Sequence, residues 1–292
     1  MLILLYYMLF LNGQKLSQDL ALQYFYNRSF KYGDGLFESI RIYRGMPLFW
    51  NAHRTRLQRG MDLLHMDYHV DHFFGDLHRD IFRAIDDQDI SNGRLRIHVF
   101  RSGAGTYRPA TNSVEVLIEI AALKTDFFQQ PQSVKLTDYR EISLVKNHLS
   151  GLKTANALTY VLASQHAQDE GWDDAILFSD DQIAETSSAN IFFFSQKKLY
   201  TPPLSSGCLA GVMREKVLEL AKSLKIDIDE KPIRWKVLLQ ADEIFLTNAI
   251  KGIMPVTQIN PHLFPEPNGS MTAFLGRSLL QYVSLQDGKR ST

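Results

Sequence analysis

One stretch, residues 150–201, constrains the rest of the chain more than any other. It reads S-G-L-K-T-A-N-A-L-T-Y-V-L-A, then W-D-D-A-I-L-F, then Q-I-A-E-T-S-S-A-N-I-F-F-F, and closes on K-L-Y-T. Apolar runs at 174–178 and 190–194 have the length of buried strands, and 156–169 that of a helix. Lys153 opens a run without charge that reaches Gln165, and Glu185 leaves an apolar segment to enter a cluster of small hydroxyl residues. An amine in apolar surroundings gives up its proton more readily, because desolvation disfavours the charged form, and it then becomes a Schiff-base nucleophile. On spacing alone, a lysine snorkelling from a helix end and a solvated turn glutamate account for the same two residues. Both readings stand at this point.

A chain of 292 residues exceeds what one compact core usually holds. Two domains are expected: a small α+β unit over 1–122, a linker over 123–132 marked by Pro131 and polar residues, and a larger unit over 133–292. The first eleven residues, M-L-I-L-L-Y-Y-M-L-F-L, lack a basic flank and are too short to span a bilayer. They read as a buried strand ending at the hairpin dipeptide Asn12-Gly13. Residues 38–43 are β-prone, preceded by Gly33 and Gly35 on either side of Asp34. Leu57, Met61 and Leu64 share one helix face, a second helix is expected over 71–86, and strands over 94–101 and 113–120 flank the glycine-bearing loop F-R-S-G-A-G-T-Y-R-P. Further helices are expected over 212–224 and Met271–Gln286, with a polar tail after them. The 32 basic and 32 acidic residues form no stripe, which argues against nucleic acid as the main partner. Cys208 is the only cysteine, so there is no internal disulfide and no cysteine-based zinc site, and a reducing cytoplasm is the expected compartment.

Several segments, in order, carry a resemblance to a known family: G-D-G-L-F-E, H-R-T-R-L, K-T-A-N, E-T-S-S-A-N-I-F-F-F, L-Y-T-P-P-L, G-C-L-A-G-V-M-R-E and A-D-E-I-F-L-T-N-A-I-K-G-I-M-P-V. They resemble the fold-type IV pyridoxal-phosphate enzymes, which include branched-chain and D-amino-acid aminotransferases and aminodeoxychorismate lyase. The resemblance covers nearly the whole chain. It implies a two-domain fold of α+β and α/β parts, pyridoxal 5′-phosphate as cofactor, a small amino-acid-like substrate, and a homodimer with its sites between domains, with no part for a membrane or a metal.

Residue by residue, the resemblance makes Lys153 the catalytic Schiff-base lysine and Glu185 the partner of the cofactor's ring nitrogen. Arg56, in H-R-T-R-L, would bind the phosphate, a role that suits a guanidinium because its fork of donors stays charged. Gly211, Val212 and Met213 would lie under the same phosphate, at a helix start whose free amides suit an anion. Ser188 and Asn248 complete the implied cofactor set. Phe37, Tyr107 and Arg108 are the implied substrate contacts. Two departures point within the family. Met213 replaces a threonine that aminotransferases usually keep, whereas the lyases often read G-[IV]-M-R; and Asn248-Ala249 match the lyases' N-[AS]-L. The implied activity is cleavage of 4-amino-4-deoxychorismate to 4-aminobenzoate and pyruvate, a step of folate biosynthesis. A class IV aminotransferase using 2-oxoglutarate, acting on branched-chain or D-amino acids, and a non-catalytic protein of the same fold are the alternatives. The cofactor's phenol oxygen has no evident partner, since Phe37 and Leu158 stand where the two aminotransferase groups have tyrosines, and the sequence does not place Tyr160.

Overall fold

A computed structural model describes residues 10–11, 14–15, 27–124, 133–265 and 270–286. Most of the expected N-terminal strand, the linker from 125 onward and the polar tail lie outside these residues. Phe10–Leu11 (β1) and Gln14–Lys15 (β2) pair antiparallel on either side of Asn12-Gly13. A short helix, Arg28–Tyr32 (α1), precedes a four-stranded antiparallel sheet of Gly35–Tyr43 (β3), Met46–Pro47 (β4), Asn92–Arg101 (β5) and Val114–Ala122 (β6), ordered β4-β3-β5-β6. Helices Trp50–Leu63 (α2) and Val70–Asp87 (α3) cover one of its faces.

The two-residue period of a strand decides which side chains meet those helices. Leu36, Ile40 and Ile42 of β3 and Leu95, Ile97 and Val99 of β5 pack against Leu57 and Met61 of α2 and Phe74, Leu77, Ile81 and Ile85 of α3. On the other face Phe37, Ser39 and Arg41 stand in register with His98, Arg96 and Arg94. That face looks toward the second half of the chain. β3 begins three residues earlier than its β-prone core, because Gly35 pairs with Phe100.

The second sheet holds ten strands. In chain order its elements are Val134–Tyr139 (β7), Leu158–Asp169 (α4), Asp174–Ser179 (β8), Gln182–Thr186 (β9), Asn190–Ser195 (β10), Lys198–Thr201 (β11), Val212–Ser223 (α5), Ile228–Glu230 (β12), Ile233–Arg234 (β13), Trp235–Leu238 (α6), Glu243–Asn248 (β14), Gly252–Ile259 (β15), His262–Leu263 (β16) and Met271–Gln286 (α7). The strand order is β12-β11-β10-β14-β15-β7-β8-β9-β13, with β16 on β15. The pairs β11/β12, β7/β8 and β7/β15 are parallel and the others antiparallel.

The three phenylalanines of β10 show how this sheet is buried on both sides. Phe193 packs with Ile176, Ile183 and Ile244 on one face, while Phe192 and Phe194 turn to the other, against Val217 of α5 and Leu275 and Leu279 of α7. Phe192 stacks on Phe245, with ring centroids 5.1 Å apart. Each of these rings is almost completely buried, a gain of about 1.5–3 kcal/mol per side chain. Among the described residues no helix is long and apolar enough to cross a membrane.

Candidate active site

Lys153 lies in the irregular segment that leads into α4, and backbone pairing fixes it to the start of β3. The Phe37 N–H donates to the Lys153 carbonyl at 2.8 Å, and the Ala155 N–H to the Gly35 carbonyl at 2.9 Å. Asn156 donates to the Gly33 carbonyl at 3.1 Å, and a Cβ at Gly33, which has φ +66°, would collide with the Asn156 amide. The Lys153 amine sits 4.5 Å from the centre of the Phe37 ring. Burial lowers its pKa, and the nearby Arg56 charge adds to this, while the Glu38 and Glu185 carboxylates oppose it.

Glu185 is the penultimate residue of β9 and only 3% exposed. Its Oε1 accepts from the Tyr160 hydroxyl at 2.9 Å and from the Leu209 N–H at 3.1 Å, and its Oε2 from the Asn190 amide at 3.3 Å. Burial outweighs these three donors and raises the carboxyl to about 7. Asn190 is held in turn by the Leu209 carbonyl, at 3.0 Å. The turn after Glu185 folds round buried Asp174, which accepts from the hydroxyls of Thr186, Ser187 and Ser188.

Across from Glu185, α2 presents Arg56. Its Nε and Nη2 reach the two oxygens of Glu38 at 2.8 and 2.5 Å, and Nη1 donates to the Ala210 carbonyl at 2.9 Å. The same carboxylate accepts from His53 Nδ1 at 2.6 Å. Glu38 is a buried acid on the core face of β3. Burial alone would raise its pKa, but the Arg56 charge and the His53 hydrogen bond more than reverse this and hold it at about 2. Burial keeps the His53 ring below its ordinary pKa, against the pull of Glu38. The partner segment at Ala210 runs directly into Gly211, the N-cap of α5, so the first amides of that helix open beside Arg56.

These groups line one cavity of about 310 Å³ between the two sheets. The structure brings Phe37, Arg56, Lys153 and Glu185 to its wall, together with Gly211, Val212 and Met213. Ser188 and Asn248 are there as well, with their side chains engaged: Ser188 donates to Asp174 at 2.7 Å, and Asn248 accepts from the Ile250 and Lys251 amides at 3.0 and 2.8 Å. Tyr107 and Arg108 are not brought to this cavity within one chain. Both are exposed, in a loop whose Gly105, Thr106 and Tyr107 carbonyls accept from Arg28.

Sequence reasoning left out Glu38, His53, Asn190 and Thr247 and did not place Tyr160. Thr247 lines the cavity with a buried hydroxyl that has no partner. A Cβ on Gly211 would overlap the Asn190 side-chain oxygen. Gly211→Ala is therefore expected to displace Asn190 from Glu185 and to cost about 1–3 kcal/mol. A lowered denaturation midpoint would show it; an unchanged midpoint would mean that the two residues simply separate.

The model of the family described as amino-transferase class IV matches residues 35–259. A probable branched-chain-amino-acid aminotransferase of Thermotoga maritima is 30% identical over 85% of this chain and 86% of its own length. The aminodeoxychorismate lyase of Bacillus subtilis is 27% identical over 92% of each chain. Among solved structures, the 4-amino-4-deoxychorismate lyase of Pseudomonas aeruginosa superposes with a TM-score of 0.76 at 25% identity, covering 92% of this chain and 97% of that one. The chain thus belongs to the class IV aminotransferase family of pyridoxal 5′-phosphate-dependent enzymes, whose members similar to it include both lyases and aminotransferases.

Proposed function

We propose that this chain is a 4-amino-4-deoxychorismate lyase that releases 4-aminobenzoate and pyruvate. The observation that carries the reading is the cavity wall formed by 211–213 and 247–250. Met213 buries its side chain in the core beneath β10 and offers the cavity no hydroxyl, and Asn248 spends its side chain on the following turn. Related aminotransferases usually keep threonine at the first of these places.

The residues fit the cofactor. Three of the five N–H groups of Arg56 are committed to Glu38 and Ala210, which leaves two for phosphate oxygens. The Val212 and Met213 amides at the start of α5 and the unpartnered Thr247 hydroxyl supply further donors to an anion. When bound, pyridoxal phosphate supplies an electron sink for the carbon next to the substrate nitrogen. Lys153 anchors the cofactor through its amine. Once the substrate amine has displaced it, Lys153 takes the proton from that carbon and delivers a proton to the departing three-carbon acid. Its lowered pKa favours the free base that this task requires. Glu185, protonated up to about neutral pH, is the acid set aside for the ring nitrogen, with Tyr160 and Asn190 fixing its orientation. Phe37 gives the substrate ring an apolar wall. One substrate becomes two products with no water and no amine acceptor, and aromatisation drives the cleavage. In this reading the protein works as a homodimer, and the exposed Tyr107 and Arg108 of one copy serve the site of the other.

The test is incubation of the cofactor-loaded protein with 4-amino-4-deoxychorismate and no oxo acid. Equal amounts of 4-aminobenzoate and pyruvate are expected. Turnover only when an amino acid and 2-oxoglutarate are supplied would replace this reading with the aminotransferase one, which the Thermotoga relative favours.

A further inference from the structure

A second cavity, of about 380 Å³, lies where the helices of the two sheets meet. Its walls are β4, the first turn of α2, the middle of α3, and single residues of α5 and α7. None of its residues lines the first cavity, and none has a part in the reaction proposed above.

Ring-bearing side chains dominate it. Phe49 and Tyr282 face each other nearly parallel, 17° apart in plane with centroids 6.4 Å apart, while Trp50, His78 and Phe82 form a contiguous edge-and-tilt cluster at 6.1 and 4.5 Å. Among the described lining residues Lys216 is the only Lys, Arg, Asp or Glu. Its side chain is 16% exposed, whereas its partners Glu215 and Glu219 are 58% and 50% exposed and are not part of the wall. The cavity therefore sees a cation whose counter-charges lie on the solvent side. Phe49 also holds φ +55°, a conformation that bulky residues adopt only when their surroundings impose it.

We propose that this second cavity binds a flat aromatic carboxylate, with the ring among the aromatic side chains and the carboxylate on Lys216. Aromatic faces recognise a planar ring by stacking and edge contacts, and a half-buried ammonium supplies the charge-assisted hydrogen bond that a carboxylate needs. The site is independent of which reaction the first cavity performs. Its location gives it a mechanical connection to that cavity, since α2 carries His53 and Arg56 within two turns of Trp50, and α5 carries Lys216 one turn after Val212.

The experiment is calorimetric titration of the cofactor-loaded protein with benzoate, repeated with benzamide. Saturable benzoate binding is expected with a dissociation constant of about 1 mM, as befits so small a ligand. Benzamide should bind at least about tenfold more weakly, and Lys216→Met and Phe82→Leu should each weaken benzoate about tenfold while leaving turnover unchanged. Benzoate binding that survives both substitutions would place the ligand elsewhere and overturn the proposal, as would the absence of binding at ten times the expected constant. Loss in Phe82→Leu alone, with Lys216→Met and benzamide equal to the parent, would refute recognition of the carboxylate. Failure of the lyase assay leaves each of these outcomes readable.

Discussion

Lys153→Ala is expected to lower turnover by about 10⁴-fold or more, because one substitution removes both the covalent anchor and the base. The loss should be chemical and not architectural. The Lys153 segment is fixed by backbone hydrogen bonds through the Lys153 carbonyl and the Ala155 amide, which alanine preserves. Borohydride reduction of the cofactor-loaded parent should add one phosphopyridoxyl group to the peptide containing residue 153, and the variant should stay unmodified while its thermal midpoint holds. An added small primary amine should restore part of the rate, since it supplies the missing base. A variant with full activity, or a parent labelled on another lysine, would remove Lys153 from the centre of the mechanism.

Glu185→Gln should lower kcat about 10²–10³-fold, the usual cost of deleting one preorganised charge at the reacting group. A second readout separates this acid from a merely structural one. In the cofactor-free protein the carboxyl is raised from an ordinary 4.5 to about 7 by burial. Below about pH 4.5 it is protonated in both the folded and unfolded chain, and its burial costs nothing through ionisation. As the pH rises through about 7 the unfolded chain has already released the proton and the folded one is forced to, so stability is lost. The thermal midpoint of the cofactor-free parent should therefore fall by about 5 °C between about pH 5 and about pH 7.5. Glu185→Gln should flatten that fall, and pyridoxal phosphate should shrink it by giving the carboxylate a cationic partner. Equal pH slopes in parent and variant would show that Glu185 titrates normally.

The positions of Lys153, Glu185 and Gly211 were legible because each sits in a contiguous motif whose local structure, a turn, a strand end or a helix entry, decides where the side chain goes. Glu38 was not. Alternation along β3 puts it on the face shared by Leu36 and Ile40, where a sequence reading expects an apolar residue, and only the arrival of α2 with His53 and Arg56 makes a carboxylate tolerable there. Tyr160 escaped for a different reason. The helix expected from 156 starts at Leu158, because the residues before it pair with β3, and that start leaves Leu158 exposed and turns Tyr160 toward Glu185. Tyr107 and Arg108 lie in a loop that Arg28 clasps by its carbonyls, a long-range contact without a periodic signature. The core was easier to read: the spacing of α3 and the F-F-F run of β10 follow directly from the periods of helix and strand.

The Arg56–Ala210 hydrogen bond joins residues 154 positions apart, and Lys153 is laid against a strand that begins at residue 35. A chain growing from its N-terminus thus makes Arg56 long before it makes the carbonyl that completes the arginine's hold. Truncated translation products ending before residue 210 would carry the anchoring lysine and no finished phosphate cradle. Capture of cofactor is in this way a late checkpoint of biosynthesis, passed only when nearly the whole polypeptide has been made and its two sheets have met.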